Sequence, residues 1–104
     1  MVIDIGNTNI TVGIYKGDKL IGNYRLTTKM KRTSDEYGFM IMNFLTSSKV
    51  SYDQIKDVII SSVVPKIMHS FLNGIRKYMH KEPIVVGPGI KTGISVKAEN
   101  PKAV

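Results

Sequence analysis

The run Val58-Ile-Ile-Ser-Ser-Val63 constrains this chain more than any other feature. It is apolar or small throughout, too short for a helix, and it lies between two stretches of helical periodicity. Such a run suits a central strand covered on both faces. Parallel strands joined through helices need crossover connections, so a sheet with helices packed on it is expected. Ahead of the run, Thr33-Ser-Asp-Glu36 has the S/T-x-x-E form of a capping box. Tyr37, Met40, Ile41, Phe44 and Leu45 then recur as one helical stripe, and the polar run Thr46–Lys49 ends it. After the run, Pro65 suits the first position of a helix, where its missing N–H has no intrahelical use. Ile67, Met68, Phe71, Leu72, Ile75, Tyr78 and Met79 form the second stripe. Ile84–Val86 reads as another strand, Gly87-Pro88-Gly89 as a turn, and Ile94–Lys97 as a segment able to pair again.

The first third reads as three strands, Met1–Ile5, Thr11–Tyr15 and Leu20–Thr27, rich in Val, Ile, Thr or Tyr. Lys16-Gly17-Asp18 has hairpin-turn composition. Along the third strand Leu20, Gly22, Tyr24 and Leu26 are expected on one face, with Ile21, Asn23, Arg25 and Thr27 on the other. The order βββαβαβ makes the fold class α/β, a ribonuclease H-like mixed sheet with helices packed on its faces.

At 104 residues the chain is sized for one domain. Its 42% apolar and 22% charged content is that of a globular protein and not of a disordered one. No apolar stretch approaches the roughly 20 residues that span a bilayer, and no secretory leader is evident at Met1. The absence of cysteine excludes disulfides and thiolate metal sites and fits a cytoplasmic location. A net charge of +7 raises affinity for polyanions, with the densest basic cluster at Arg25, Lys29, Lys31 and Arg32. That cluster reads as a solvated loop. No aromatic residues interleave with the bases and no helix-turn-helix is seen, so nucleic acid is not the expected partner. His69 and His80 lie off the second stripe, share no metal-like spacing and read as surface residues.

Asp4-Ile-Gly-Asn-Thr-Asn9 carries the chemistry. Asp4 stands where an apolar residue would pack better in a buried strand. Gly6 permits close approach, and Asn7, Thr8 and Asn9 offer backbone N–H groups and short polar side chains. A phosphate needs such donors, whereas a carboxylate beside it is useful only if it holds Mg²⁺, chiefly through water. An ordinary Asn-rich hairpin is the simpler reading of the turn alone. No G-x-x-x-x-G-K-[S/T] and no strand-linked G-x-G-x-x-G occurs.

Taken together, Asp4-Ile-Gly-Asn-Thr-Asn9, Arg32-Thr-x-Asp-Glu-Tyr37, Ile60-Ser-Ser-Val-Val-Pro65, Val86-Gly-Pro-Gly-Ile-Lys-Thr-Gly93 and Asn100-Pro101 resemble the type III pantothenate kinases in order and spacing. The resemblance implies a two-half kinase of the acetate and sugar kinase, heat-shock ATPase and actin superfamily. Residues 1–104 would be its N-terminal ribonuclease H-like half. It implies transfer of the ATP γ-phosphoryl group to the primary hydroxyl of pantothenate, the first step of coenzyme A biosynthesis. Mg²⁺ held by Asp4, a monovalent cation (K⁺ or NH₄⁺) and a homodimer are implied with it. Asp4, Ile5, Gly6, Asn7, Thr8, Asn9, Ile10 and Thr11 would form the first phosphate-binding segment, and Asn100 would lie on the substrate side. The family's tyrosine two residues before the Asn-Pro pair is Ala98 here. Its catalytic aspartate belongs to a Gly-x-Asp-Arg segment expected after Val104. No catalytic residue is therefore expected within these residues, and turnover by the chain alone is not expected. Other readings are a different phosphotransferase of the same superfamily, a transcriptional accessory or nucleic-acid-binding protein, or a non-catalytic nucleotide-binding domain.

Overall fold

The computed structural model describes residues 1–87. The elements are β1 (Val2–Ile5), β2 (Asn9–Lys16), β3 (Lys19–Thr27), α1 (Ser34–Ser47), a 3₁₀ turn (Tyr52–Gln54), β4 (Ile59–Ser62), α2 (Pro65–Met79) and β5 (Ile84–Val86). The strands form one sheet in the spatial order β3-β2-β1-β4-β5. β2 is antiparallel to both β1 and β3, while β4 is parallel to both β1 and β5. This is a ribonuclease H-like mixed sheet, and its element order is the βββαβαβ expected. The segment expected to pair again at Ile94–Lys97 and the glycine-proline turn beyond Gly87 lie outside the described residues.

Strand pleating sorts the side chains. The pairs Ile3↔Val12, Ile5↔Ile10 and Ile3↔Ile60 place these residues on one face of the sheet. Together with Tyr37, Ile41 and Leu45 of α1 and Phe71, Ile75 and Met79 of α2 they make a single core. Both helices therefore pack on the same face, because each also packs against the other. The expected cover on both faces of the Val58–Val63 run does not form among the described residues. β4 spans only Ile59–Ser62, with Ile60 in the core and Ile59 half-buried on the opposite face.

The third strand departs from simple alternation at its start. Ile14 pairs with Gly22 but Tyr15 pairs with Leu20, so Ile21 is an extra residue in a β-bulge. Leu20 is therefore turned away from the core and is 45% exposed, beside Tyr15 and Gly13. Ile21, expected on the face opposite Tyr24, packs partly against the core as Tyr24 does. Beyond the bulge Tyr24 lies on the core face and stacks on Phe44 of α1, with ring centroids 4.4 Å apart.

The helix signals are realised closely. Glu36 N–H donates to Thr33 Oγ1 at 3.1 Å and Thr33 N–H donates to Glu36 Oε1 at 2.7 Å, which completes the capping box. Pro65 opens α2, and Gly17 takes the left-handed conformation at φ 62° in the hairpin turn. His69 and His80 are both exposed.

The start of α1 is tied to the end of α2. The Asp35 carboxylate accepts hydrogen bonds from Lys77 Nζ at 2.9 Å and Tyr78 Oη at 2.8 Å. These bonds hold its pKa below the ordinary 3.8. A carboxyl lowered on folding stabilises the protein above its unfolded pKa and loses that contribution as pH falls through the folded one. The difference in urea midpoint between the wild type and Asp35→Asn is accordingly expected to be present at pH 7 and to shrink on acidification below pH 4. An Asp35→Asn difference that does not change with pH would refute this role.

Candidate functional site

The site begins where β1 hands over to β2. Gly6 N–H donates to the Asn9 carbonyl at 2.9 Å. The Gly6 carbonyl accepts from Thr28 Oγ1 at 2.8 Å, and the Thr8 carbonyl accepts from Thr28 N–H at 3.0 Å. Thr28 itself is only 4% exposed. Three carbonyls of the turn are thus engaged. The N–H groups of Asn7 and Thr8 make no hydrogen bond among the described residues, and both residues are exposed. A bend with its carbonyls turned to the protein and its N–H groups left over is locally electropositive, and it suits an anion. Space is tight here, since a Cβ on Gly6 would stand 3.2 Å from the Asn9 carbonyl oxygen.

Asp4 is two residues ahead of this bend but not in the core. Ile3 and Ile5 point to the helices, so Asp4 between them falls on the opposite face and is exposed. This corrects the expectation that it displaces a packed apolar residue: alternation gives the core its isoleucines and the outer face its aspartate. The pairs Thr11↔Arg25, Asp4↔Thr11 and Asp4↔Ser61 line Arg25, Thr11, Asp4 and Ser61 across that face. Ser61 Oγ donates to Asp4 Oδ1 at 3.1 Å. Asp4 has no ion-pair partner among the described residues. No group of three or more His, Cys, Asp or Glu that could hold a metal is present among them either. A lone, accessible carboxylate fits Mg²⁺, which keeps several waters and takes its remaining ligands from phosphate.

Of the other segment residues, Ile5 and Ile10 are 0% exposed core side chains, so only their backbones are available to a ligand. Gly6, Asn9 and Thr11 are half-buried. Asn100, expected on the substrate side, lies outside the described residues. Thr28 and Ser61 are additions that the sequence did not single out. Two serines in an otherwise apolar strand were a signal for Ser61. Nothing local marks Thr28, because its partner is 22 positions away.

The basic cluster divides. Arg25 joins the Asp4 row on the outer face, whereas Lys29, Lys31 and Arg32 line a hollow of about 620 Å³ that reaches Asn7 and Lys66. Arg32 is held there by donating to the Thr27 carbonyl at 2.7 Å, with its guanidinium 5.9 Å over the Tyr37 ring. A larger hollow, about 720 Å³, lies elsewhere on the sheet beside Met1 and Asp57. It has none of the bend residues in its lining.

The chain matches the family model for type III pantothenate kinase over residues 1–104. The chain belongs to the type III pantothenate kinase family. Two curated relatives carry that same name. One, from Bifidobacterium longum subsp. infantis, is 52% identical over 102 residues, covering 98% of this chain and 40% of the relative. The other, from Bifidobacterium animalis subsp. lactis, is 48% identical over 103 residues, covering 99% of this chain and 41% of the relative. The chain thus spans about two fifths of the length of these type III pantothenate kinases. No helix among the described residues is long and apolar enough to cross a membrane.

Proposed function

We propose that this chain supplies the first phosphate-binding segment of an ATP-dependent pantothenate kinase and does not turn over alone. The observation that carries the reading is the bend itself, with free N–H groups at Asn7 and Thr8 and an accessible carboxylate at Asp4 two residues before it. Phosphoryl transfer asks a protein for positioning and charge stabilisation more than for covalent chemistry. In this reading the Asn7 and Thr8 N–H groups, with the hydroxyl and amide side chains of the bend, hold the terminal phosphates. Asp4, kept in orientation by Ser61, holds hydrated Mg²⁺, which supplies neutralisation of the triphosphate charge when bound.

Residues 1–104 form the N-terminal half, Asn100 stands on the pantothenate side, and the proton acceptor for the pantothenate hydroxyl belongs to the family's Gly-x-Asp-Arg segment. A homodimer and a cytoplasmic location complete the proposal. The monovalent cation rests on the family resemblance alone, and no step here passes through it.

Calorimetry on the chain tests the reading. Mg-ATP and Mg-ADP are both expected to bind, and a coupled assay with pantothenate is expected to show no ATP consumption. Absence of any Mg-nucleotide binding would remove the basis of the phosphate site. Pantothenate-dependent turnover would instead overturn the claim that the chain is inactive alone.

A further inference from the structure

We infer that Thr28 is a positioning residue for the anion site: its side-chain hydroxyl fixes the peptide that aims the Asn7 N–H outward. The inference rests on the phosphate reading of the bend. A regular two-residue hairpin closes by a bond to the first carbonyl from the N–H three residues on. Here the Gly6 carbonyl takes its bond from Thr28 Oγ1 at 2.8 Å, from a different strand end altogether. The Gly6 carbonyl and the Asn7 N–H belong to one planar trans peptide and point in opposite directions. Holding the oxygen on a buried hydroxyl therefore holds the N–H pointing away from it.

The second tie, Thr28 N–H to the Thr8 carbonyl at 3.0 Å, is made by backbone and survives a side-chain change. The two roles are separable for that reason. Thr28→Val keeps the shape and the backbone tie but leaves the Gly6 carbonyl without its partner. A half-buried carbonyl so deprived rotates toward water, and the Asn7 N–H swings with it. Thr28→Ser retains the hydroxyl.

The test is a tripolyphosphate titration of the ¹⁵N-labelled chain with Mg²⁺ present, followed at the Asn7 and Thr8 amides, at a temperature where each variant is folded. Thr28→Ser is expected to bind like the wild type. Thr28→Val is expected to bind about tenfold more weakly or worse, the loss of one charge-assisted hydrogen bond, with its Asn7 amide already displaced before ligand is added. A merely structural residue would lower the unfolding temperature of Thr28→Val and leave affinity and the Asn7 amide alone. A folded Thr28→Val that binds as tightly as the wild type would therefore overturn the inference. If the wild type itself binds no tripolyphosphate, the phosphate reading falls and takes this assignment with it. Should Thr28→Val fail to fold, Thr28→Cys under reducing conditions is expected to lie between serine and valine, because its S–H is a weak donor. Affinity equal to the wild type in that variant would again overturn the inference.

Discussion

Gly74→Ala is expected to destabilise the chain by about 2 kcal/mol or more, although alanine is the better helix former. Gly74 lies in α2 on the side that packs against the start of α1. A Cβ there would stand 2.5 Å from the Ser34 carbonyl oxygen and 3.1 Å from the Gly38 nitrogen, both backbone atoms. Backbone cannot rotate out of the way, so the helices must separate, and their shared core separates with them. Overpacking of this kind costs about 1–3 kcal/mol and occasionally more. Against it stands a gain of about 1 kcal/mol from replacing glycine inside a helix. The rigid nature of both contacts places the cost at the upper end.

Gly38→Ala makes the informative comparison. Its Cβ would meet the Tyr78 ring, a side chain that can move. Moving it disturbs the hydrogen bond from Tyr78 Oη to Asp35 and the edge contact with Phe39, where the ring centroids are 5.1 Å apart. A smaller loss, about 1 kcal/mol, is expected there. Because both substitutions prise apart the same crossing, the double variant should lose less than the sum of the two. Urea midpoints measured at pH 7 decide the matter. A Gly74→Ala chain as stable as the wild type would show that the helices are not held at this distance.

That crossing also marks where sequence reasoning runs out. Apolar spacing placed both helices, and Thr33 and Pro65 set their starts, because these signals are local. The expectation that the βββαβαβ order implies a ribonuclease H-like sheet follows from short connections and crossover handedness, and the strand order agrees. Which face a helix covers is a different kind of question. It depends on whether the two stripes find each other, and here two glycines let α1 and α2 approach closely enough to share one face. Glycine inside a helix reads as a weak point when only propensity is considered, so propensity gives no sign of the close contact at Gly38 and Gly74.

The bulge at Ile21 leaves no local mark in the sequence for a similar reason. Period-2 alternation predicts a regular strand, and the extra residue is seen only when Ile14↔Gly22 is followed by Tyr15↔Leu20. At the candidate site the Asp-x-Gly-Asn-Thr-Asn order was legible because glycine and short polar residues are themselves the chemistry. Its supports were not. Thr28 and Ser61 reach the segment through pairing across 22 and 57 positions, and pairing partners are not written locally. The exposure of Asp4 could have been inferred by counting outward from Ile3 and Ile5. An aspartate flanked by two core isoleucines on one strand must face the other way.

That outward position gives the second large expected effect. Asp4→Asn should weaken Mg-ATP binding about 10- to 100-fold, the usual consequence of losing a group that holds a metal through its water shell. The same substitution should leave metal-free ATP binding unchanged or tighter, because a carboxylate near a naked triphosphate repels it. Two opposite signs from one variant are hard to obtain by damage to the fold. Stability gives no confounding contribution either. Asp4 is exposed, and an asparagine oxygen can still accept from Ser61 Oγ, which now donates to Oδ1 at 3.1 Å. Surface changes of this kind usually stay within about 0.5 kcal/mol. Calorimetry with ATP, with and without Mg²⁺, measures both arms on the same preparation. If Asp4→Asn binds Mg-ATP as tightly as the wild type, the carboxylate holds no magnesium. If both forms of ATP weaken together, Asp4 acts by shaping the bend rather than by meeting the metal.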